Sequence, residues 1–406
     1  MQKSGGAVIP MKDNKILELA GGWNGEEICG GEPFSPLVME FLQELSKEIL
    51  RSPLARRSDD LTAFAFWCRK NQLNHWKQVF EADSLTRVGY GMIFHIAPSN
   101  IPALFAYSMV YGMLAGNGNL IRISQRILEE AMPLCQIIDQ VMKQEKYESL
   151  YKSNKIISYE RDDEITLAYS KQCDGRILWG GDQVIRHLRG LCDLGGKPEL
   201  VFPDRYSMVV LDGPWMREQD ADSLKNLAHR FYNDTYLMDQ NECSSPKIIF
   251  WTPETKKADQ EIWWDALEEK AKEYDLTAWK VMRKYEDLCR TLMTADAKME
   301  LKCRGNLIYM MNCTELSADA RQYDGKYGTF YQYQLKNLDE LGKYLNRKVQ
   351  TILYAGVKPE QIRDVICKTG AKGGDRIVPV GQALQLSYIW DGKNVLHQLS
   401  RIIDCQ

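Results

Sequence analysis

The stretch Tyr236-Leu-Met-Asp-Gln-Asn-Glu-Cys-Ser-Ser-Pro246, followed by Lys247-Ile-Ile-Phe-Trp251, places a cysteine between a polar turn and a β-branched, aromatic run. Just upstream, apolar residues recur at the spacing of one helix face, namely Leu224, Leu227, Ala228 and Phe231. Cys243 is therefore predicted in a helix-to-strand connection. Reactive side chains often occupy such connections, because a rigid scaffold on both sides holds them in place.

Taken alone, a cysteine in a chain with 11 of them is far more often a small, semi-buried packing residue than a reactive thiol. Two other stretches distinguish Cys243 from the rest. They are His95-Ile-Ala-Pro-Ser-Asn-Ile-Pro102, a strand end followed by a turn, and Leu178-Trp-Gly-Gly181, a strand end followed by paired glycines.

Composition restricts the class of protein. A chain of 406 residues favours two α/β domains, and 44% hydrophobic with 26% charged residues is typical of a globular protein. The net charge of -3 gives no sign of nucleic-acid binding, and the apolar runs are too short to span a bilayer. Cysteines without CxxC pairs and five dispersed histidines predict reduced thiols in the cytoplasm and no metal site.

Strand-like runs alternate with helical patterns along the chain, which predicts βαβ units and parallel sheets. The runs of the first half are Val88–Ala97, Asn119–Ser124, Lys155–Tyr159, Gly175–Trp179 and Val209–Asp212. We predict a first α/β domain over 86–212 and a second over 213–365, which carries the cysteine. We expect residues 1–85 to form an arm and helices that pack on the first domain, and the tail 366–406 to pack back on it.

The carboxyl ends of the parallel strands are expected to form a ligand-binding edge in the first domain. Gly180 and Gly181 open a helix there, and the N–H groups of a helix N-terminus can hold a pyrophosphate. A tight strand-to-helix turn explains the two glycines equally well, and Asp182 would repel a phosphate. Arg122 and Arg126, on either side of Ser124, could bind a ribose 2′-phosphate or form a solvated basic edge.

Together these stretches resemble the aldehyde dehydrogenase superfamily, and most closely its acyl-CoA reductases of the LuxC type, the fatty-acid reductase subunits of bacterial luciferase systems. Pro98-Ser-Asn-Ile-Pro102 resembles the segment of the oxyanion-hole asparagine, which would be Asn100. Leu120-Ile-Arg-Ile-Ser124 places Arg122 where the ribose-binding lysine usually stands. Trp179-Gly-Gly181 resembles the pyrophosphate motif, and Gln240-Asn-Glu-Cys243 resembles the segment of the catalytic cysteine.

The end of the chain, Arg376-Ile-Val-Pro-Val-Gly-Gln-Ala-Leu384 and Trp390-Asp-Gly392, also resembles this subfamily. One departure is informative, because Val201 stands where the superfamily has its general-base glutamate. Asp193, beside a Leu194-Gly-Gly-Lys197 segment that resembles the glutamate motif, comes too early in the chain. A dehydrogenase needs this base to activate water against a thioester, whereas a reductase must keep water away. The departure therefore favours thioester reduction.

The resemblance implies an aldehyde dehydrogenase-like fold of two Rossmann-like, parallel-sheet domains. It implies an acyl-CoA reductase in which the Cys243 thiolate attacks the thioester and Asn100 holds the oxyanion. Arg122, Ser124, Arg126, Trp179, Gly180 and Gly181 would bind NADPH, because no acidic residue between 119 and 128 would repel a 2′-phosphate. The expected partners are an acyl-CoA or acyl-protein thioester, an acyl-transferring protein and further copies of the chain.

Two other activities stay open at this stage. The enzyme could oxidise aldehydes, which an assay with aldehyde and NAD would reveal. It could also carry an acyl group for a partner without reducing it, although Arg122 and the two glycines argue for a working cofactor site.

Overall fold

The computed structural model describes residues 15–53, 58–99, 101–294, 299–317, 323 and 325–405. The chain divides into two compact units, the first of Met1–Pro203 with Leu386–Gln406 and the second of Asp204–Gln385. Both units are α/β and each contains a mainly parallel sheet, as predicted. No helix within the described ranges is long and apolar enough to cross a membrane.

The first unit begins with a strand and three helices before its parallel strands start. In chain order, its elements up to the unit boundary are β1 (Leu17–Gly21), α1 (Pro36–Arg51), α2 (Asp59–Trp67), α3 (Lys70–Phe80), β2 (Arg87–Gly89), β3 (Met92–Ile96), α4 (Leu104–Leu114), β4 (Gly118–Ile123), α5 (Leu128–Met142), α6 (Glu148–Ser153), β5 (Asn154–Ser158), α7 (Asp163–Gln172), β6 (Gly175–Gly180), α8 (Asp182–Leu191) and β7 (Glu199–Pro203).

The sheet of the first unit has the strand order β1-β5-β4-β3-β6-β7. Strand β1 is antiparallel to β5, and the other neighbours are parallel. The chain passes from β3 outward through β4 and β5, and then returns to the other side of β3 with β6 and β7. The strand order thus reverses between β3 and β6, and ligands of open α/β sheets bind beyond the carboxyl ends of the strands at such a point.

The second unit carries the stretch around Cys243. Its elements are β8 (Tyr206–Leu211), α9 (Gly213–Arg217), α10 (Ala221–Thr235), β9 (Pro246–Trp251), α11 (Lys257–Ala271), α12 (Ala278–Thr294), β10 (Met299–Arg304), β11 (Ile308–Cys313), β12 (Thr329–Gln334), β13 (Val349–Ala355), α13 (Pro359–Thr369) and β14 (Arg376–Pro379). The tail of the first unit adds β15 (Ile389–Trp390), β16 (Lys393–Asn394), α14 (Val395–Gln398) and β17 (Ser400–Ile402).

The sheet of the second unit has the order β10-β11-β12-β9-β8-β13-β14. Strand β10 runs antiparallel to β11, and the remaining neighbours are parallel. The central strands β8 and β9 are almost wholly buried, as expected of parallel strands covered by helices on both faces.

The unit boundaries differ from those that the sequence predicts. The first unit ends at Pro203 rather than Asp212, because β8 forms its ladder hydrogen bonds with β9 and β13 of the second sheet. The tail predicted over 366–406 divides in two. Strand β14 pairs with β13 in the second unit, whereas Leu386–Gln406 belong to the first, where β17 pairs with β2.

Candidate functional site

Cys243 lies in the connection between α10 and β9, as predicted from the sequence. Helix α10 begins at its N-cap Asp220, and it buries Leu227, Ala228 and Phe231 against the sheet. A 3₁₀ turn follows, and then Asp239 and Gln240 adopt left-handed backbone angles, with φ of 53° and 59°. These two residues redirect the chain, and Cys243 is half-buried in the turn that leads into β9.

Gln240 fixes the connection just before the cysteine. Its side chain is fully buried, and its Nε2 donates to the carbonyls of Pro246 and Thr329 at 3.0 and 3.1 Å. Its Oε1 accepts from Gly328 N at 3.1 Å. One amide thus ties the loop to the starts of β9 and β12, which limits how far the cysteine can move.

Ser207 fixes the backbone of the cysteine itself. The registers of β8 with β9 and with β13 both shift beside this residue, so the regular ladder is interrupted there. The Ser207 hydroxyl, which is fully buried, donates to Cys243 O at 2.7 Å and accepts from Thr351 N at 3.1 Å. It thereby satisfies two buried backbone groups that would otherwise lack partners.

Ser207→Ala should lower the free energy of unfolding by about 1–3 kcal/mol, because two buried backbone groups lose their hydrogen bonds. Ser245→Ala is a matched control, since the Ser245 hydroxyl is also fully buried but has no hydrogen-bond partner among the described residues. The control should be close to neutral. Denaturant unfolding of both variants measures the difference, and equal stabilities would contradict the role assigned to Ser207.

Arg122 lies at the carboxyl end of β4, at the edge where a dinucleotide is expected. Its Nη2 donates to Tyr159 O at 3.0 Å, and its guanidinium lies 5.1 Å from the centre of the Tyr159 ring. Within the described residues it forms no ion pair, and its buried Nε has no hydrogen-bond partner. Burial lowers the pKa of this arginine. A half-buried cation with an unused donor fits a phosphate ligand.

The other residues predicted to bind the cofactor share this edge but differ in exposure. The Ser124 hydroxyl accepts from Arg126 N at 3.3 Å and so caps a short 3₁₀ turn, while the Arg126 side chain is exposed. Gly180 has φ of 154°, which a side chain would disfavour, and Gly181 is the N-cap of α8 without a side-chain cap.

The Trp179 ring is buried and does not face the proposed cofactor site at the carboxyl ends of the strands, since only 6% of the residue is exposed. Its ring stacks on Phe202 at 4.1 Å, and Trp390 of the tail packs edge-on against it at 5.0 Å. What Trp179 offers to a ligand is therefore mainly its backbone, while its ring supports the end of β6.

A buried polar chain fixes the orientation of the Trp179 ring. Trp179 Nε1 donates to Ser108 Oγ at 3.1 Å, and His95 lies between Ser108 at 2.8 Å and Asn119 at 3.0 Å. Burial lowers the pKa of His95 to about 3, so the imidazole is neutral at physiological pH. Because Asn119 Oδ1 can only accept, Nε2–H of the neutral imidazole donates to it, and the Ser108 hydroxyl donates to Nδ1 while it accepts from Trp179. Asn119 in turn donates to Asn154 at 2.7 Å.

Asn100, predicted to hold the oxyanion, lies outside the described residues. By the resemblance, Val201 stands where the superfamily has its general-base glutamate. Val201 lies in β7, and the neighbouring Glu199 carboxylate pairs with Arg176 at 2.6 Å and Arg189 at 2.7 Å. Asp193 accepts from Gly195 N in an exposed turn. Glu199 is thus held by two arginines, and Asp193 by its own turn.

Sequence reasoning missed Ser207 and Gln240, which position the cysteine. Gln240 belongs to the motif that singles out Cys243, so an amide side chain three residues before the cysteine was a usable signal. No signal in the sequence pointed to Ser207, because its role depends on the strand register.

Solved structures similar to this chain are aldehyde dehydrogenases. Lactaldehyde dehydrogenase from Escherichia coli is 12% identical with a TM-score of 0.62, and the match covers 91% of this chain and 86% of that one. Salicylaldehyde dehydrogenase from Pseudomonas putida G7 is 13% identical with a TM-score of 0.62, over 90% and 84%. NAD-dependent aldehyde dehydrogenase from Sinorhizobium meliloti is 11% identical with a TM-score of 0.62, over 90% and 81%. The chain therefore has an aldehyde dehydrogenase-like, two-domain α/β fold.

The sequence identifies the family within this fold. Residues 64–316, more than half of the chain, match the family described as Acyl-CoA reductase (LuxC). The chain belongs to this family, and it is an oxidoreductase that acts on aldehyde or acyl groups. No curated protein shows significant sequence similarity to it.

Proposed function

We propose that this protein reduces an acyl-CoA thioester to the aldehyde with NADPH, through a covalent acyl-enzyme on Cys243. The observation that carries the direction of the reaction is the environment of β7. By the resemblance, Val201 stands where the superfamily has its general base, and the carboxylate of Glu199 is bound by Arg176 and Arg189. Hydrolysis of an acyl-enzyme needs a base that activates water. Without one, the thioester on Cys243 persists long enough to be reduced.

Acyl transfer to Cys243 is the first step. The thiolate attacks the thioester carbonyl, the C–S bond to coenzyme A breaks, and coenzyme A leaves as a thiolate that takes a proton from solvent. Gln240 and Ser207 hold the loop and the carbonyl of Cys243, so that the sulfur meets the substrate in a constant position. Asn100, by its resemblance to the superfamily motif, donates its side-chain amide to the oxyanion that forms.

Reduction is the second step. NADPH, when bound, supplies the hydride that adds to the acyl carbonyl. The resulting thiohemiacetal on Cys243 expels the cysteine thiolate and releases the aldehyde. Arg122 would hold the 2′-phosphate, and the N–H groups at Gly181 and the start of α8 would hold the diphosphate. Asp182 in the first turn of α8 opposes the second of these contacts, as the sequence already indicates.

A direct comparison of the two directions tests the function. With saturating acyl-CoA and NADPH, the enzyme should consume NADPH and form one aldehyde per turnover. With the same aldehyde and NADP or NAD, free acid should not accumulate, because Val201 at the position of the general base cannot activate water. Acid formation at a rate comparable to reduction would instead assign the protein to aldehyde oxidation. Acyl transfer without any NADPH consumption would assign it to an acyl-carrier role.

Arg122→Ala should raise the KM for NADPH by about one to two decades while it changes the KM for NADH little. A 2′-phosphate carries nearly two negative charges, and the loss of one charge-assisted contact costs on the order of 1.5–3 kcal/mol. Initial-rate kinetics with both cofactors measure the ratio. Equal losses for NADPH and NADH would place Arg122 in a structural role, through its hydrogen bond to Tyr159 O.

A further inference from the structure

A cleft of about 520 Å³ lies in the second unit, where β13 and β14 begin. Its walls are the segment that precedes β13 and the end of α13 with the turn before β14. The residues are Gly342, Lys343, Leu345, Asn346, Arg347, Lys348, Thr369, Gly370, Ala371 and Lys372. Its volume falls within the range of about 300–1,000 Å³ that is typical of sites for small molecules.

The lining of the cleft is strongly basic, although the whole chain has a net charge of -3. Lys343 is 4.0 Å from Glu340, and Lys348 donates to Asp204 at 3.1 Å. Arg347 and Lys372 are exposed and form no ion pair within the described residues. Two cations thus stay uncompensated in a concave site, where an anionic group could contact both.

The cleft and Cys243 lie at the same end of the second sheet, where its parallel strands begin. The loop of Cys243 enters β9, and the walls of the cleft enter β13 and β14, all at the amino ends of parallel strands. The contacts between them are continuous, since Lys348 O accepts from Tyr206 N at 2.9 Å and the next residue, Ser207, donates to Cys243 O. Strands β9 and β13 are separated only by β8, which corresponds to about 10 Å.

We propose that this cleft binds the phosphate groups of the coenzyme A part of the thioester substrate. The proposal rests on the proposed function, because it assumes that Cys243 accepts the acyl group. Coenzyme A carries a diphosphate and a ribose phosphate, and Arg347 and Lys372 supply the cations that such groups need. The pantetheine arm, with its two amide units, is long enough to bridge the two strand spacings to the cysteine. The nucleotide part of the substrate is then bound separately from NADPH.

The double variant Arg347→Ala/Lys372→Ala tests the site, with Arg363→Ala/Lys368→Ala as its matched control. The control removes the same arginine and lysine charges from exposed positions on α13, where both side chains pair with carboxylates outside the cleft. We expect the cleft variant to bind coenzyme A about tenfold to hundredfold more weakly in calorimetry, and the control to match the unmodified protein. The KM of the cleft variant should rise for acyl-CoA but not for the acyl-pantetheine thioester, because acyl-pantetheine lacks phosphates.

Three results would overturn the proposal. Coenzyme A could bind equally well to the cleft variant and the control. Its affinity could fall in Arg122→Ala instead, which would place it in the nucleotide site of the first unit. Or the KM could rise only for the thioester of an acidic acyl-carrier protein, which would make the cleft a protein-docking site. If the proposed function itself is wrong, the result differs from these three. The unmodified protein would then bind coenzyme A but would not reduce acyl-pantetheine.

Discussion

Cys243→Ala should abolish acyl transfer, and the rate of acyl-CoA reduction should fall by roughly 10⁴-fold or more, because the variant lacks the thiol that forms the thioester intermediate. When the unmodified protein is incubated with acyl-CoA without cofactor, mass spectrometry should detect one acyl group on the peptide that contains Cys243. The variant should stay unlabelled and should keep its folded state, since the side chain is only half-buried and the loop is held by Gln240 and Ser207.

Cys289→Ala is the matched control, since Cys289 is also a half-buried thiol of the second unit. It should be acylated and reduced like the unmodified protein. An acyl group on another cysteine, together with normal turnover of Cys243→Ala, would remove Cys243 from the mechanism. The completely buried Cys68 is no alternative nucleophile, because burial raises the pKa of its thiol far above the usual range.

The sequence predicts the parts of the fold that depend on local periodicity. The helix before Cys243 could be identified because Leu227, Ala228 and Phe231 define one buried face, and α10 does bury them. The alternation of strands and helices predicts two parallel sheets, and both are present. The family motifs could also be recognised locally, because each occupies a few consecutive residues around a strand end.

Features that depend on strand pairing could not be predicted in the same way. The strand β8 has the same local pattern whether it pairs with β7 or with β9, so the unit boundary after Pro203 was not visible in the sequence. The role of Ser207 follows from register shifts on both sides of β8. Likewise, Arg347 and Lys372 come together only because β13 and β14 are neighbours. Periodicity carries no information about any of these pairings.

Asn100→Ala should lower kcat by about 100- to 1000-fold with little change in the KM for acyl-CoA. An oxyanion donor acts on the charge that develops in the transition state, so its loss affects turnover more than substrate binding. The expectation rests on the resemblance of Pro98-Ser-Asn-Ile-Pro102 to the superfamily motif and on the position of this segment. It follows β3, where the strand order of the first sheet reverses.

Asn119→Ala distinguishes a catalytic amide from a structural one. Asn119 is fully buried and accepts from His95, so its loss should lower the free energy of unfolding by about 1–3 kcal/mol. The molecules that remain folded should turn over normally. Asn100→Ala should show the opposite pattern, with unchanged unfolding and reduced kcat in steady-state assays. If Asn100→Ala instead loses stability and keeps its turnover per folded molecule, its amide only stabilises the turn, and the oxyanion must be held by another donor.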